Sequence, residues 1–374
     1  MINKRRLVNS FKQLVRIDSL SLREAGAAKW VQRELRALGI RTRQSGHLTG
    51  GEIGNLIAFV PGQGVKSPRV MINAHLDTVS PGKKIKPVER HGVIRPDGGT
   101  ILGADNKAGV VAIVEILRVL KERKLKHPPL VVIFTVAEEI GLLGAKVLPD
   151  KALQADFGLT LDGGVVEKVV NQAPTQYNLT ATIIGRAAHA GIHPEDGVNA
   201  IKVASEAIAG MKLGRIDPET TANIGVIKGG KATNIIPDEV ELRGEARSHS
   251  RRKLQRQVEH MERLLFKAAR KYRARLKLKV ERIYRSFELS PSSQVMRVVL
   301  AGMRAAGVLP IIKPTGGGSD ANVFNERGLP TVILGVGAHN VHTTREQIKI
   351  SDLVRGTEMV LKIITGAAEW KKRK

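Results

Sequence analysis

The chain contains no cysteine, which excludes a disulfide framework and any thiolate metal site. Aromatic residues make up only 3% of its 374 residues, which counts against a surface built to stack on bases. No apolar run approaches the length needed to cross a bilayer. The N-terminal stretch MINKRRLVNSFKQLVRI is basic but lacks the apolar segment of a signal peptide, so the cytoplasm is the expected location. There is no phosphate-cradling GxxxxGK[ST] loop, no zinc-finger spacing and no internal repeat. Acidic residues are in deficit, 35 against 61 Lys and Arg, for a formal charge of +26. That charge makes a positive field able to attract nucleic acid or anionic substrates, or it is a surface bias unrelated to the reaction.

What is present suffices for full cores: hydrophobic residues reach 42%, and the length is more than one core usually serves, so two domains are expected. The stretch Val131 to Gly141, VVIFTVAEEIG, organises the reading. Leu130 to Phe134 is an apolar run of buried-strand length in an α/β sheet. Glu138 and Glu139 follow it. Adjacent side chains leaving a strand point in different directions, so one carboxylate can hold a metal while the other serves as general base to a water. A solvated strand end would explain a lone pair of glutamates equally well. The other strand ends decide.

Leu7 to Leu38 carries apolar spacings of three and four and reads as helical. Asn55 to Val60 and Arg69 to Ala74 read as strands, the second ending in His75-Leu-Asp77-Thr. In extended chain His75 and Asp77 share a face, and a ligating histidine gives its second ring N–H to such an acceptor. Asp105, in GADNKAG, sits where a helix running through Val110 to Leu120 begins, and an N-cap role alone would explain it. Phe157 to Asp162 is a further strand ending in a carboxylate and two glycines. Possible ligands therefore gather at the carboxyl ends of strands, where sites of open α/β sheets lie. A carboxylate and imidazole set without sulfur suits zinc, cobalt or manganese, and one carboxylate can bridge two ions.

Beyond Asn171–Gln176 the character changes. Tyr177 to Ile184, Thr221 to Lys228, Glu239 to Arg247 and Leu276 to Tyr284 read as strands, with helices at Asn199 to Met211 and Arg251 to Tyr272. The longer helix has an apolar stripe of Leu254, Val258, Met261, Leu265, Ala268 and Tyr272. This β-α-β-β-α-β order is the ferredoxin-like motif, read as an insertion. Strand and glycine character resume in Thr315-Gly-Gly-Gly-Ser-Asp320 and Pro330 to Gly337, and the segment ends in His339-Asn-Val-His342-Thr-Thr.

With HLDT (75–78), GADNKAG (103–109), TVAEEIG (135–141), LDGG (161–164), GRAAHAG (185–191), GGGSDA (316–321) and VHTTRE (341–346) in this order, the chain resembles the M20 metallopeptidases. The similarity is nearest to their peptidase T-like (tripeptidase T-like) branch and spans nearly the whole chain. It implies an α/β fold: a mixed-sheet di-zinc peptidase domain, 1–172 and 288–374, with an inserted ferredoxin-like βαββαβ lid and dimerisation domain, 173–287. It implies two zinc ions, one held by His75 and Asp162 and the other by Glu139 and His342, with Asp105 bridging. Cobalt or manganese could take their place. Glu138 would be the general base and Asp77 would orient His75. His189 would reach the partner's site in a homodimer and stabilise the oxyanion. Asn234, Arg247 and Gly317 match substrate-binding positions. His339 competes with His342, and His193 with His189; the flanking patterns favour His342 and His189.

The function expected is removal of the N-terminal residue of short peptides by a cytoplasmic, metal-dependent exopeptidase. An aminoacylase or carboxypeptidase acting on N-acyl amino acids shares the catalytic set and differs only in recognition. A nucleic-acid-binding reading rests on residues 251–285, where fourteen Lys and Arg face three acids. Basic residues coating an amphipathic helix account for that stretch without nucleic acid. A metal-free relative kept for binding is the third reading. No membrane partner is expected.

Overall fold

A computed structural model describes residues 2–369. The chain divides into two compact units: one of residues through Gln172, Glu288–Pro314 and Ser319 onward, the other of Ala173–Phe287 and Thr315–Gly318.

The first unit is built on an eight-stranded mixed sheet. Its strands run in the order Thr42–Ser45, Asn55–Val60, Leu130–Thr135, Val70–His75, Phe157–Gly163, Thr331–Gly335, Lys168–Val170 and Ile311–Ile312. Val70–His75 lies parallel to both Leu130–Thr135 and Phe157–Gly163, and Phe157–Gly163 lies parallel to Thr331–Gly335. Every residue of Val70–His75, Leu130–Thr135 and Thr331–Gly335 is buried, as the largely apolar strands of a sheet covered on both faces are. Because these strands run the same way, their carboxyl ends share one edge, and His75, Asp162 and the Glu138–Glu139 turn fall there.

The helix Ala104–Glu122 packs on Val70–His75 and is buried over most of its length. Gly109 permits the approach: a Cβ there would stand 2.4 Å from the Leu161 carbonyl oxygen and 3.1 Å from Ala74 Cβ. Helices Gln294–Ala305 and Ile350–Gly366 pack together and complete the same core. The expected helical stretch from Leu7 to Leu38 is two helices, Lys4–Val15 and Ala25–Ala37. The break holds Asp18, Ser19 and Ser21, which bond outward: Thr78 N–H donates to Ser19 O, and Ser21 Oγ donates to Asp77.

The second unit is a five-stranded antiparallel sheet in the order Gly214–Asp217, Thr220–Gly229, Glu239–Ser248, Thr175–Ile184, Arg275–Tyr284. Helices Ala200–Gly210 and Arg251–Lys271 pack on it. Leu254, Val258, Met261 and Leu265 share a core with Leu179, Ala181 and Ile183. Gly214–Asp217, four residues long, is too short to show a period and is absent from the β-α-β-β-α-β reading. The glycine run 315–318 groups with this unit because Gly318 abuts the Tyr284 ring, where a Cβ would lie 2.2 Å from Cζ. Among the described residues, no helix is long and apolar enough to cross a membrane.

A candidate metal centre at the carboxyl edge of the sheet

His75, the last residue of its strand, is buried. Its Nδ1 lies 3.0 Å from the Asp77 carbonyl oxygen and 3.4 Å from Asp77 Oδ1. A carbonyl oxygen only accepts, so Nδ1 carries a hydrogen, and Nε2 is the nitrogen turned to the site. Nε2 faces Asp105 Oδ1 at 3.2 Å and Asp162 Oδ1 at 3.5 Å. The other Asp105 oxygen faces His342 Nε2 at 3.4 Å, and His342 Nε2 lies 3.0 Å from Glu139 Oε1. Asp105 thus stands between two imidazoles, one oxygen toward each. Ligand atoms of His75, Asp105 and Glu139 all lie within 4.8 Å of one another.

These separations fit a shared cation. Donors about 2.0–2.2 Å from a tetrahedral zinc stand roughly 3.4 Å apart. The charge fits as well, because Asp77, Asp105, Glu138, Glu139 and Asp162 surround only two imidazoles, and buried carboxylates require compensation. Burial alone would lower the His75 pKa, but Asp105, Asp162 and Asp77 hold it well above the usual value. His342 is pushed up to about 10 by Asp105 and Glu139. Burial raises Asp162 to about 7, with Asp105 adding to the rise. Glu138 is raised well above the carboxylate range by burial, aided by Asp162 and Asp320 and opposed by His75. Such a field favours divalent cations.

The two glutamates lie beyond the strand end, in a turn where Ala137 is left-handed (φ 51). Two buried carboxylates hold the turn. Asp77 accepts Glu138 N–H on Oδ1 at 3.0 Å and Glu139 N–H on Oδ2 at 3.1 Å. Glu24 Oε1 accepts Ala137 N–H at 2.9 Å and Leu22 N–H at 2.8 Å. Asp77 therefore does more than face His75, which it meets most closely through its main-chain oxygen. Sequence reasoning passed over Glu24, although Ser21-Leu-Arg-Glu24 ahead of an apolar helix was a visible signal. It passed over Asp320 as a buried group too; Thr135 Oγ1 donates to it, and nothing in the glycine-rich run foretells that partner.

The remaining candidates are placed as follows. His339 faces Asp352 at 3.6 Å rather than Glu139. In the second unit, His189 is exposed, its Nδ1 accepts Gly191 N–H, and it bridges Ile235. Asn234 is its neighbour there, accepting Ala190 N–H at 3.0 Å. His193 pairs with Glu195 at 3.4 Å. Arg247 is gripped by Glu245 through two bonds of 2.9 Å and reaches the Gly316 oxygen, beside Gly317, at 3.5 Å.

Residues 71–366 match the model of peptidase family M20/M25/M40. A Bacillus subtilis (strain 168) protein called uncharacterized protein YqjE is 41% identical over 99% of this chain and all of its own length. Two crystal structures are similar throughout. A tripeptidase from Staphylococcus aureus has a TM-score of 0.92 and 39% identity, covering 99% of this chain and 100% of that one. Aminopeptidase PepT from Bacillus cereus ATCC 10987 has a TM-score of 0.85 and 42% identity, covering 98% and 100%.

Proposed function

The chain belongs to peptidase family M20/M25/M40, and from that premise we propose that it is a zinc-dependent exopeptidase that removes the N-terminal residue of short peptides. The observation that carries the reading is Asp105, whose two oxygens face His75 and His342 while Glu139 closes on His342. His75, Asp105, Glu139, Asp162 and His342 would hold two zinc ions, which supply Lewis-acid polarisation of the scissile carbonyl and bring a water toward a pKa of about 7. Cobalt or manganese suits the same donors.

Glu138 takes the proton from the attacking water and delivers it to the leaving amine. A carboxyl whose proton affinity is raised by burial is suited to both halves of that transfer. Asp77 fixes the Glu138–Glu139 turn through two main-chain N–H groups and meets His75 on its far side. His189 is proposed as the donor to the developing oxyanion, and Asn234, Arg247 and Gly317 as the residues meeting substrate. The second unit, whose main body is the single inserted segment Ala173–Phe287, is proposed to serve as lid and dimerisation domain.

The similarity to a tripeptidase and an aminopeptidase supports a substrate with a free amino end. The test is a panel of tripeptides, dipeptides, N-blocked peptides and N-acyl amino acids, each given to zinc-loaded protein. Release of the N-terminal residue from free tripeptides is expected, with N-blocked peptides untouched and a chelator abolishing turnover. Preferential hydrolysis of N-acyl amino acids would overturn the substrate assignment in favour of an aminoacylase or carboxypeptidase.

A further inference from the structure

Four residues beyond His342, Glu346 is completely buried, with the buried Lys107 near enough for its charge to be felt. Its carboxylate is spent on main chain. Oε2 accepts N–H from Leu102 at 2.7 Å and from Gly103 at 2.8 Å, and Oε1 accepts N–H from Asp105 at 3.0 Å. Three donors from one loop thus converge on one side chain that lies 241 residues further along the chain. The loop needs such an acceptor. Gly103 opens the helix Ala104–Glu122 in a left-handed conformation (φ 70) and provides no side-chain cap. Asp105 and Asn106 leave the helical region (ψ 103 and 29), so the N–H groups of this kinked segment lie outside the regular helix and take a carboxylate through charge-assisted bonds.

We infer that Glu346 is a positioning residue for the metal centre: it fixes Asp105, the proposed bridging ligand, against His342, to which it is tied by a tight turn. Glu346 N–H donates to Thr343 O, so the carboxylate and His342 belong to one short segment. Asp105 presents one oxygen to His75 and the other to His342, at 3.2 and 3.4 Å. A rotation of its main chain would carry both oxygens away from these positions. Glu346 holds the N–H of Asp105 itself and those of the two residues leading into Ala104, which leaves that main chain little freedom to turn. The inference rests on the metal-centre reading and adds to it a residue that touches neither metal nor substrate.

Glu346→Gln keeps the size of the side chain and removes one acceptor. Whichever way the amide turns, its NH₂ meets at least one of the three N–H groups, donor against donor. Glu346→Asp keeps both oxygens on a shorter stem. Metal-free full-length wild type and both variants are titrated with zinc against a chelating dye, with far-ultraviolet circular dichroism and thermal unfolding as controls for folding. Expected are a folded Glu346→Gln whose zinc affinity is about 10–100-fold weaker, partial recovery in Glu346→Asp, and a loss in kcat that exceeds any change in KM.

A role confined to holding the fold gives the opposite pattern: a lower melting temperature with zinc affinity within about twofold of wild type. That result overturns the inference. So does failure of both variants to fold with or without zinc, because a positioning role leaves the fold standing. Wild type that takes up no zinc overturns the metal-centre reading and this assignment with it, whereas normal uptake by both wild type and Glu346→Gln overturns this assignment alone.

Discussion

Glu138 and Glu139 are adjacent and chemically identical, yet the structure gives them different surroundings. Glu139 lies 3.0 Å from an imidazole, while Glu138 is buried among other carboxylates with its proton affinity raised. Glu138→Gln is expected to keep its zinc and lose roughly 10²–10⁴-fold in kcat, as loss of a general base does. Glu139→Gln is expected to lose affinity for one zinc equivalent. Metal analysis beside steady-state kinetics checks both, and a Glu138→Gln enzyme near wild-type rate would remove it as the base. Glu24 makes a pH prediction. Burial, with Asp77 adding to it, raises its pKa from 4.5 to about 7. The folded state then binds the proton more tightly than the unfolded chain, so stability from this group falls as pH rises through that window. Glu24→Gln removes the loss. Its stability relative to wild type should climb by on the order of 2 kcal/mol between about pH 5 and about pH 8, measured by urea unfolding of metal-free protein.

At the scale of the element, the sheet's central strands were legible because each is a short, mostly apolar run, and the strand ends carried the histidine and carboxylates. The amphipathic helix Arg251–Lys271 was legible for the same reason: its buried Leu254, Val258, Met261 and Leu265 keep a helical spacing. Three kinds of feature were not. Short strands such as Gly214–Asp217 hold too few residues to show a period. The helices Gln294–Ala305 and Ile350–Gly366 were given no assignment, although both are amphipathic. Main-chain acceptors such as Glu24, Asp77 and Glu346 act on partners remote in sequence, and residue type reveals nothing of that. Gly109 belongs with these, since its reason is a neighbour, the Leu161 carbonyl. Gly109→Ala forces the helix Ala104–Glu122 away from the strands ending in His75 and Asp162. A loss of about 1–3 kcal/mol in urea unfolding is expected, as for other overpacked cores, with weaker zinc binding beside it.

For the whole molecule, the second unit has its own core, and its basic helix has an apolar face that this core consumes. The outward Lys and Arg are thereby explained as a solvated face. All five proposed ligands and Glu138 lie in the first unit, and His189 lies in the second. If His189 serves a neighbouring copy, two inactive variants should complement. Inactive His189→Ala and Glu138→Ala, unfolded and refolded together in equal amounts, should regain roughly a quarter of wild-type activity, because half the dimers are mixed and each has one intact site. No recovery, with mass spectrometry showing that mixed dimers formed, removes the assignment across subunits.

The first unit is interrupted in sequence, and that has a consequence for its birth. A ribosome delivers the chain from its N-terminus, and domains fold as units while they emerge. The strands and helices of Ala173–Phe287 are all out of the tunnel before Thr331–Gly335 exists to pair with Phe157–Gly163, and before His342 exists to face Glu139. The later-starting unit can therefore finish first, while the host waits half built with Asp105, Glu138, Glu139 and Asp162 already made. Those carboxylates stay without their last imidazole until the closing segment arrives, so the set of donors is complete only when synthesis is nearly over.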